Sequence, residues 1–275
     1  GWDTIIDDFV GDTLREHPKP AGFYDGVIGR ITPELAALGT KLHLPLVNTW
    51  YNSPAREQLP GVFPDCAATG KLTAEHLLAR GLRRFAVLTR NDQAQSQIAT
   101  AFREMVQAAG FPCVLVRVPL SPPNSYVAWK KVEQQIEGWM QDWQPPLGVS
   151  IADETWGRVV VQLCHQRGWS VPEDVAIVAG ANDELFCNHP RPSLTSMEIG
   201  FSRIGYEAAR LLDQLMSNRA KDKRAKQADA KPQQLILPPV GLVVRESTDF
   251  YAVEDELVAQ ALKFIGANSH REINC

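Results

Sequence analysis

Apolar and polar positions along this chain follow two alternating patterns. Short, nearly continuous apolar runs predict buried β-strands at 26–29, 45–49, 83–89, 113–118, 148–152 and 175–179. Between these runs, apolar residues recur every three or four positions, which predicts amphipathic helices at 33–42, 65–80, 95–109, 126–143 and 155–167. This regular β-α-β alternation predicts parallel sheets with helices on their faces, an α/β fold.

Residues with strong positional preferences mark the ends of several predicted helices. Thr32 is suited to accept a free backbone N–H as an N-cap, and Pro33 suits the first helical position. Gly81, Gly110 and Gly168 follow three of the helices, where a left-handed glycine commonly ends a helix. These residues place the predicted boundaries independently of the apolar pattern.

Two segments fall outside the alternation. The apolar start of the chain predicts an extended strand at 2–9. The segment 217–231, SNRAKDKRAKQADAK, predicts a flexible charged insertion. Asp222 and Asp229 dilute its basic residues and no aromatic residue lies among them, which favours a solvated loop over a nucleic-acid surface.

The composition is that of a globular chain, with 44% hydrophobic residues in a length of 275 that suits one large domain or two lobes. A net charge of −4 and a pI near 5.9 argue against direct DNA binding by this segment. Five dispersed cysteines predict reduced thiols rather than a metal site. No apolar run approaches the roughly 18–20 residues of a membrane span. We therefore expect a cytoplasmic protein with no cofactor, metal or membrane partner.

Combinations typical of an enzyme active site are weak in this chain. Cys164 and His165 are neighbours on one predicted helix and point in different directions, which disfavours a nucleophile pair. His76 lies in an apolar-periodic helix, where we expect it to pack or cap. Neither a Walker A motif nor GxGxxG occurs. We expect a protein that is not an enzyme.

The stretch 171–216 combines several elements in a characteristic order. It contains a turn, the strand VAIVA, the polar loop GAND, an extended segment at 194–198 and an amphipathic helix from about Gly200. The sequence VPEDVAIVAG, followed by P-x-LTS and IGYEAARLL, resembles the sugar-sensing domain of LacI/GalR-type transcriptional regulators. The resemblance implies a two-lobed, periplasmic-binding-protein-like fold of type I, with three crossings between the lobes and a ligand held between them.

The C-terminal segment carries a second resemblance. PPVGLVVRESTDFYAVEDELVAQALKFI, at 238–265, resembles the junction of xylose-operon-type regulators, where a LacI-like sensor leads into an AraC-type helix-turn-helix module. The implied first lobe is 1–81 plus 198–239, and the implied second lobe is 82–197 plus 240–249. The crossings are expected near Gly81, 197–201 and 240–245, and residues 250–275 would form a linker and the start of the DNA-binding module. The family has an initial strand and helix before the position of Trp2, and no counterpart is expected in this sequence.

The resemblance also implies where an effector binds. Such sites present polar side chains to the sugar hydroxyls and an aromatic plane to the sugar's C–H face. Carried over by position, the stacking aromatic falls at Trp129 and the polar groups after two strands fall at Asp153 and Asn182. A second aromatic, at the second crossing, falls at Phe201.

Two positions depart from the family pattern. The arginine carried by a helix is replaced by Ile98, and the glutamine of the second crossing is replaced by Ile199. Loss of a charge-assisted hydrogen bond of ~1.5–3 kcal/mol would weaken sugar binding roughly ten- to hundredfold. Either the ligand is smaller and less polar than a hexose, or polar groups such as Asp92, Ser96 and Gln97 hold it instead.

Each candidate also has a purely structural interpretation. Trp129 could cover the surface between the lobes, and Asp153 could cap the helix that follows it. Asn182 could be a turn residue. Ile98 and Ile199 could be ordinary core residues.

The resulting functional hypothesis is the effector-binding and dimerisation domain of a transcriptional regulator. Its effector would be a monosaccharide similar to xylose, and it would contact DNA only through an attached C-terminal module, as a homodimer. The alternative is a solute-binding receptor of a transport system, and a third, remote hypothesis is a flavodoxin-like α/β enzyme. The lack of a signal segment, the odd number of cysteines and the regulator-like C-terminal segment favour the first.

Overall fold

The computed structural model of the chain describes residues 2–16, 23–119, 123–221 and 232–250, together with 257, 258, 261, 264 and 265. The chain divides into two compact units. Unit 1 comprises Gly1–Pro64 and Gly200–Leu237, and unit 2 comprises Asp65–Ile199 and Pro238–Cys275. The lobe boundaries implied by the resemblance, near 81, 198 and 239, stay a prediction.

Helices and strands alternate along most of the described chain. The helices are α1 (Val10–Glu16), α2 (Pro33–Leu42), α3 (Cys66–Ala79), α4 (Gln93–Ala108), α5 (Tyr126–Trp139), α6 (Glu154–Gln166), α7 (Glu184–Asn188) and α8 (Phe201–Lys221). The strands are β1 (Val27–Gly29), β2 (Leu46–Asn48), β3 (Gly61–Pro64), β4 (Phe85–Arg90), β5 (Cys113–Val118), β6 (Leu147–Ile151), β7 (Val175–Ala179), β8 (Ser196–Glu198), β9 (Gln234–Leu237) and β10 (Gly241–Val243).

Unit 1 is built on a four-stranded parallel sheet in the order β1-β2-β3-β9, with α8 packed against β1, β2 and β3. The hydroxyl of Thr32 accepts a hydrogen bond from the backbone N–H of Leu35 at 3.3 Å, and Pro33 is the first residue of α2, as predicted. A core that includes Leu14, Ile31 and Leu46 joins the helices to the sheet.

Unit 2 has a second parallel sheet in the order β5-β4-β6-β7, and β8 pairs antiparallel with β10. Successive residues of β4 face opposite sides: Leu88 packs in the core formed with α5 and α6, whereas Val87 packs in the core formed with α3 and α4. The strands are therefore apolar on both faces, which explains their continuous apolar runs. Gly110 and Gly168, predicted to end helices, have left-handed φ angles of +88° and +74°.

The structure differs from the predicted elements in four places. Residues 2–7 pair with no strand of the described chain. Helix α8 continues to Lys221, so the start of the predicted insertion is helical, and 222–231 lie outside the described residues. The short elements α1, β3 and α7 were not predicted. The linker and start of a DNA-binding module expected at 250–275 lie mostly outside the described residues.

Candidate ligand-binding site

A pocket lies at the carboxyl ends of β4, β6 and β7 in unit 2. The strand order reverses at β4, because β5 lies on one side of it and β6 on the other. Ligands of open α/β sheets bind outside the carboxyl ends of the strands at such a point. The pocket volume is about 60 Å³, which is room for a few water molecules. This pocket, with the loops around it, is the candidate site.

The walls of the pocket combine isoleucines with hydroxyl groups. Ile98 from α4 and Ile199, which is only 8% exposed, both line it. The hydroxyls of Thr69, Thr73 and Thr89 line it as well, and each donates its proton to a backbone carbonyl at 2.9, 3.0 and 3.2 Å, respectively. A hydroxyl that donates in this way still has an oxygen lone pair to accept from a ligand. Both isoleucines thus line the pocket, and Ile199 is buried whereas Ile98 is partly exposed.

Two carboxylates and an arginine stand beside residues that line this pocket, although none of the three is itself a lining residue. Asp92 caps α4, accepting from the N–H of Gln95 at 2.9 Å, and Asp153 caps α6, accepting from the N–H of Trp156 at 3.0 Å. The guanidinium of Arg90, the last residue of β4, lies 3.4 Å from a carboxylate oxygen of Asp92 and 3.6 Å from one of Asp153. The capping role considered for Asp153 is therefore confirmed. We call Arg90, Asp92 and Asp153 the charged trio.

Arg90 was not among the predicted site residues. The signal that could have found it is the one that found Asp153: a polar residue at the carboxyl end of a buried strand in a parallel sheet. The apolar run was expected to end at Thr89, so the arginine that follows it was treated as part of the loop.

Asn182 lies in a loop, and its side chain is held by two residues of β8 and by Arg245. Its φ is +65°, so its backbone is left-handed as expected for a turn residue. Its side-chain amide donates to Glu198 at 2.8 Å, and its carbonyl accepts from Ser196 at 3.1 Å and from Arg245 at 2.7 Å. Both polar ends of this side chain are therefore engaged within unit 2.

Trp129 packs against the core of unit 2. Its ring stacks on the ring of Trp156, with a centroid distance of 5.8 Å and an interplanar angle of 11°. Trp156 is 1% exposed and belongs to the core beside β6. Trp129 therefore uses one ring face for packing, and the ligand contact predicted for it stays a prediction.

The remaining two candidates belong to different units. Ser96 lies in the first turn of α4, where its backbone N–H donates to the carbonyl of Asp92 at 2.9 Å. Phe201 is the first residue of α8 in unit 1, and 60% of its surface is exposed. A ligand-binding role for either residue stays a prediction.

His76 has the packing role that was expected for it. Its Nε2 lies 2.8 Å from the hydroxyl of Thr248, and Arg80 donates to the carbonyl of Thr248 at 2.9 Å. Burial, together with the charge of Arg80, lowers the pKa of His76 to about 4. A neutral His76 thus joins α3 to the turn at Glu246–Thr248.

Three kinds of feature are absent from the described part of the chain. No cluster of three or more His, Cys, Asp or Glu residues there is arranged to hold a metal ion. Within the same residues, no helix is both long and apolar enough to cross a membrane. Among the cysteines described, Cys66, Cys113, Cys164 and Cys187 form no disulfide.

The two parallel sheets, with a pocket at the switch point of one of them, define a periplasmic-binding-protein-like chain. The profile of the periplasmic binding protein-like domain family matches residues 74–248, and the chain belongs to this family. The xylose operon regulatory protein of Escherichia coli K12 is 28% identical over 194 residues, which cover 69% of this chain and 46% of that protein. The chain thus matches less than half the length of this relative.

Other relatives and solved structures are likewise similar to this chain. The xylose operon regulatory protein of Haemophilus influenzae is 25% identical over 276 residues, covering 96% of this chain and 67% of that protein. The structure of the xylose-binding transcription activator xylR has a TM-score of 0.69 and 22% identity, covering 96% of this chain and 71% of that chain. The complex of the transcriptional regulator CelR with cellobiose has a TM-score of 0.65 and 23% identity, covering 88% of this chain and 71% of that chain. These structural likenesses show the fold.

Proposed function

We propose that this chain is the effector-binding domain of a transcriptional regulator and that its effector is a monosaccharide similar to xylose. The observation that carries the proposal is the pocket at the switch point of unit 2, with Asp153 directly after its lining residue Ala152 and Asp92 hydrogen-bonded to the backbone of its lining residue Gln95. Carboxylates accept hydrogen bonds from sugar hydroxyls, and Ile98 and Ile199 offer apolar surface to the sugar's C–H groups.

The relatives support a regulator rather than a transport receptor. The xylose operon regulatory proteins of two bacteria and an arabinose metabolism transcriptional repressor of Geobacillus stearothermophilus align with this chain. We propose that DNA is contacted through a module attached after residue 250, that the regulator works as a homodimer in the cytoplasm, and that the domain catalyses no reaction. Effector binding would then change the geometry of the domain and so the DNA affinity of the attached module.

The first experiment is calorimetric titration of the chain with D-xylose and a panel of other pentoses and hexoses. We expect micromolar binding of at least one sugar. Asp153→Ser keeps a side-chain oxygen for the N-cap of α6 but removes the carboxylate, so it separates capping from ligand binding. We expect it to retain the melting temperature and to lose about tenfold or more in sugar affinity, the value of one charge-assisted hydrogen bond.

Asp153→Ala is the comparison for the lost cap. It should lose sugar affinity to the same extent and about 1 kcal/mol of stability as well. Trp129→Leu should weaken binding if the second face of the ring contacts the sugar. If the folded chain binds none of the sugars, the sugar assignment is wrong.

A further inference from the structure

Arg90 makes longer contacts than two other arginines of unit 2, Arg158 and Arg245. Arg158 donates to four backbone carbonyls at 2.6–2.9 Å, and Arg245 makes four side-chain hydrogen bonds at 2.7–3.0 Å. Arg90 instead makes two contacts with carboxylate oxygens, at 3.4 and 3.6 Å. Charge-assisted hydrogen bonds are typically 2.7–2.9 Å long, so these two contacts are loose ion pairs. The guanidinium is held in place without using up its N–H groups.

The charged trio lies next to lining residues of the pocket, just where β4 and β6 end. Thr89, which immediately precedes Arg90, and Ala152, which immediately precedes Asp153, both line the pocket. Gln95, whose N–H is capped by Asp92, lines it as well and donates to the carbonyl of Ala152 at 3.4 Å. The Nε of Arg90 is buried without a hydrogen-bond partner, while 28% of the side chain as a whole is exposed.

We propose that Arg90 is a specificity-determining residue of the effector site, and this rests on the proposed function. Its guanidinium donates to ligand oxygens, while Asp92 and Asp153 accept from ligand hydroxyls and hold the arginine between them. The donor that is missing at Ile98 on α4 is thus supplied from the end of β4. Because one positive and two negative charges meet here, the site favours an uncharged polyol over a sugar acid or a sugar phosphate.

The competing explanation is that Arg90 only balances the charges of two helix caps. A lysine at this position would also balance them, but it lacks the planar donor fork that matches two oxygens at once. Arg90→Lys and Arg90→Met therefore test different things: the first keeps the charge and removes the fork, and the second removes both. Arg84→Met is the matched control, because Arg84 is an exposed residue just before the other end of β4.

The test is titration of each variant with D-xylose, or with the panel sugar that binds the unaltered chain most tightly, together with thermal unfolding. We expect Arg90→Lys to unfold at the unaltered temperature and to bind about ten- to hundredfold more weakly. Arg90→Met should lose at least as much affinity, and Arg84→Met should lose none. The unaltered chain should bind D-xylonate, the corresponding acid, far more weakly than D-xylose.

A rescue variant separates ligand contact from a structural effect. Ile98 lines the same pocket, so the double substitution Arg90→Met with Ile98→Arg returns a guanidinium to it from α4. Recovery of part of the lost affinity is the expected result. Arg90→Lys with unaltered affinity, or D-xylonate binding as tightly as D-xylose, would overturn the inference while leaving sugar binding intact. Failure of the unaltered chain to bind any sugar would instead remove the proposed function, and this inference with it.

Discussion

Replacement of Gly70 by alanine tests the packing that forms one wall of the pocket. Gly70 lies inside α3, where alanine is favoured over glycine by roughly 0.8–1.0 kcal/mol. Helix propensity alone therefore predicts that Gly70→Ala stabilises the protein. The structure predicts the opposite, because a Cβ at this position would lie 2.2 Å from the carbonyl oxygen of Ile98 on α4.

The magnitude follows from which atoms would collide. The same Cβ would be 3.0 Å from the backbone nitrogen of Phe102, so it meets backbone that no rotamer change can move away. Helix α4 would have to shift by about 1 Å, and such overpacking typically costs 1–3 kcal/mol. We take the upper end of that range because of the backbone contact. After the gain in propensity is subtracted, the expected net loss is about 2 kcal/mol, or roughly 4–8 °C in melting temperature.

The assay is calorimetric unfolding beside a matched control. Gly138 lies near the end of α5, and a methyl group added there would meet no other atom within 4 Å, so Gly138→Ala should stabilise by up to about 1 kcal/mol. Because Thr73 on α3 and Ile98 on α4 face the same pocket, Gly70→Ala should also weaken ligand binding. A Gly70→Ala protein as stable as Gly138→Ala would refute the reasoning.

Two further predictions concern contacts that hold unit 2 together. Arg158→Met removes hydrogen bonds to four backbone carbonyls, so the free energy of unfolding in urea should fall by about 2–3 kcal/mol. Proteolysis at 184–192 should also become faster. A variant as stable as the unaltered chain would contradict this prediction. The pKa of His76 is lowered to about 4 by burial, so the unfolded chain binds a proton at a higher pH than the folded chain does, and stability should fall as pH drops from about 6.5 towards 4. His76→Gln keeps a group that can bond Thr248 and should lose this part of the pH dependence, measured as melting temperature against pH.

The position of the candidate site follows from the order of the strands. In unit 2, β4 is flanked by β5 on one side and β6 on the other, so the loops after β4 and β6 diverge and leave space above the sheet. Asp92 and Asp153 stand at the starts of the helices that leave those loops. A capping role for these two residues is therefore compatible with the ligand contacts proposed for them.

The sequence by itself determined the α/β class, the parallel sheets and most element boundaries. The strands Cys113–Val118 and Val175–Ala179 were predicted to the residue, because a strand buried on both faces shows as a continuous apolar run. The helix ends at Thr32 and Gly168 could also be predicted from the sequence, because a cap depends on the chemistry of one or two residues. Helix α3 was predicted as a helix, but a helix's own pattern does not say which sheet it packs against.

Only the tertiary structure decided which polar groups meet. Arg90 and Asp153 lie at the ends of adjacent strands but far apart in the sequence, and Asn182 and Arg245 are likewise distant in the sequence and meet within unit 2. Trp129 was predicted as a ligand contact, yet only the fold shows Trp156 against its ring. Periodicity and capping report what each segment does by itself. Strand order and helix packing bring distant side chains together, and no local pattern encodes those distances.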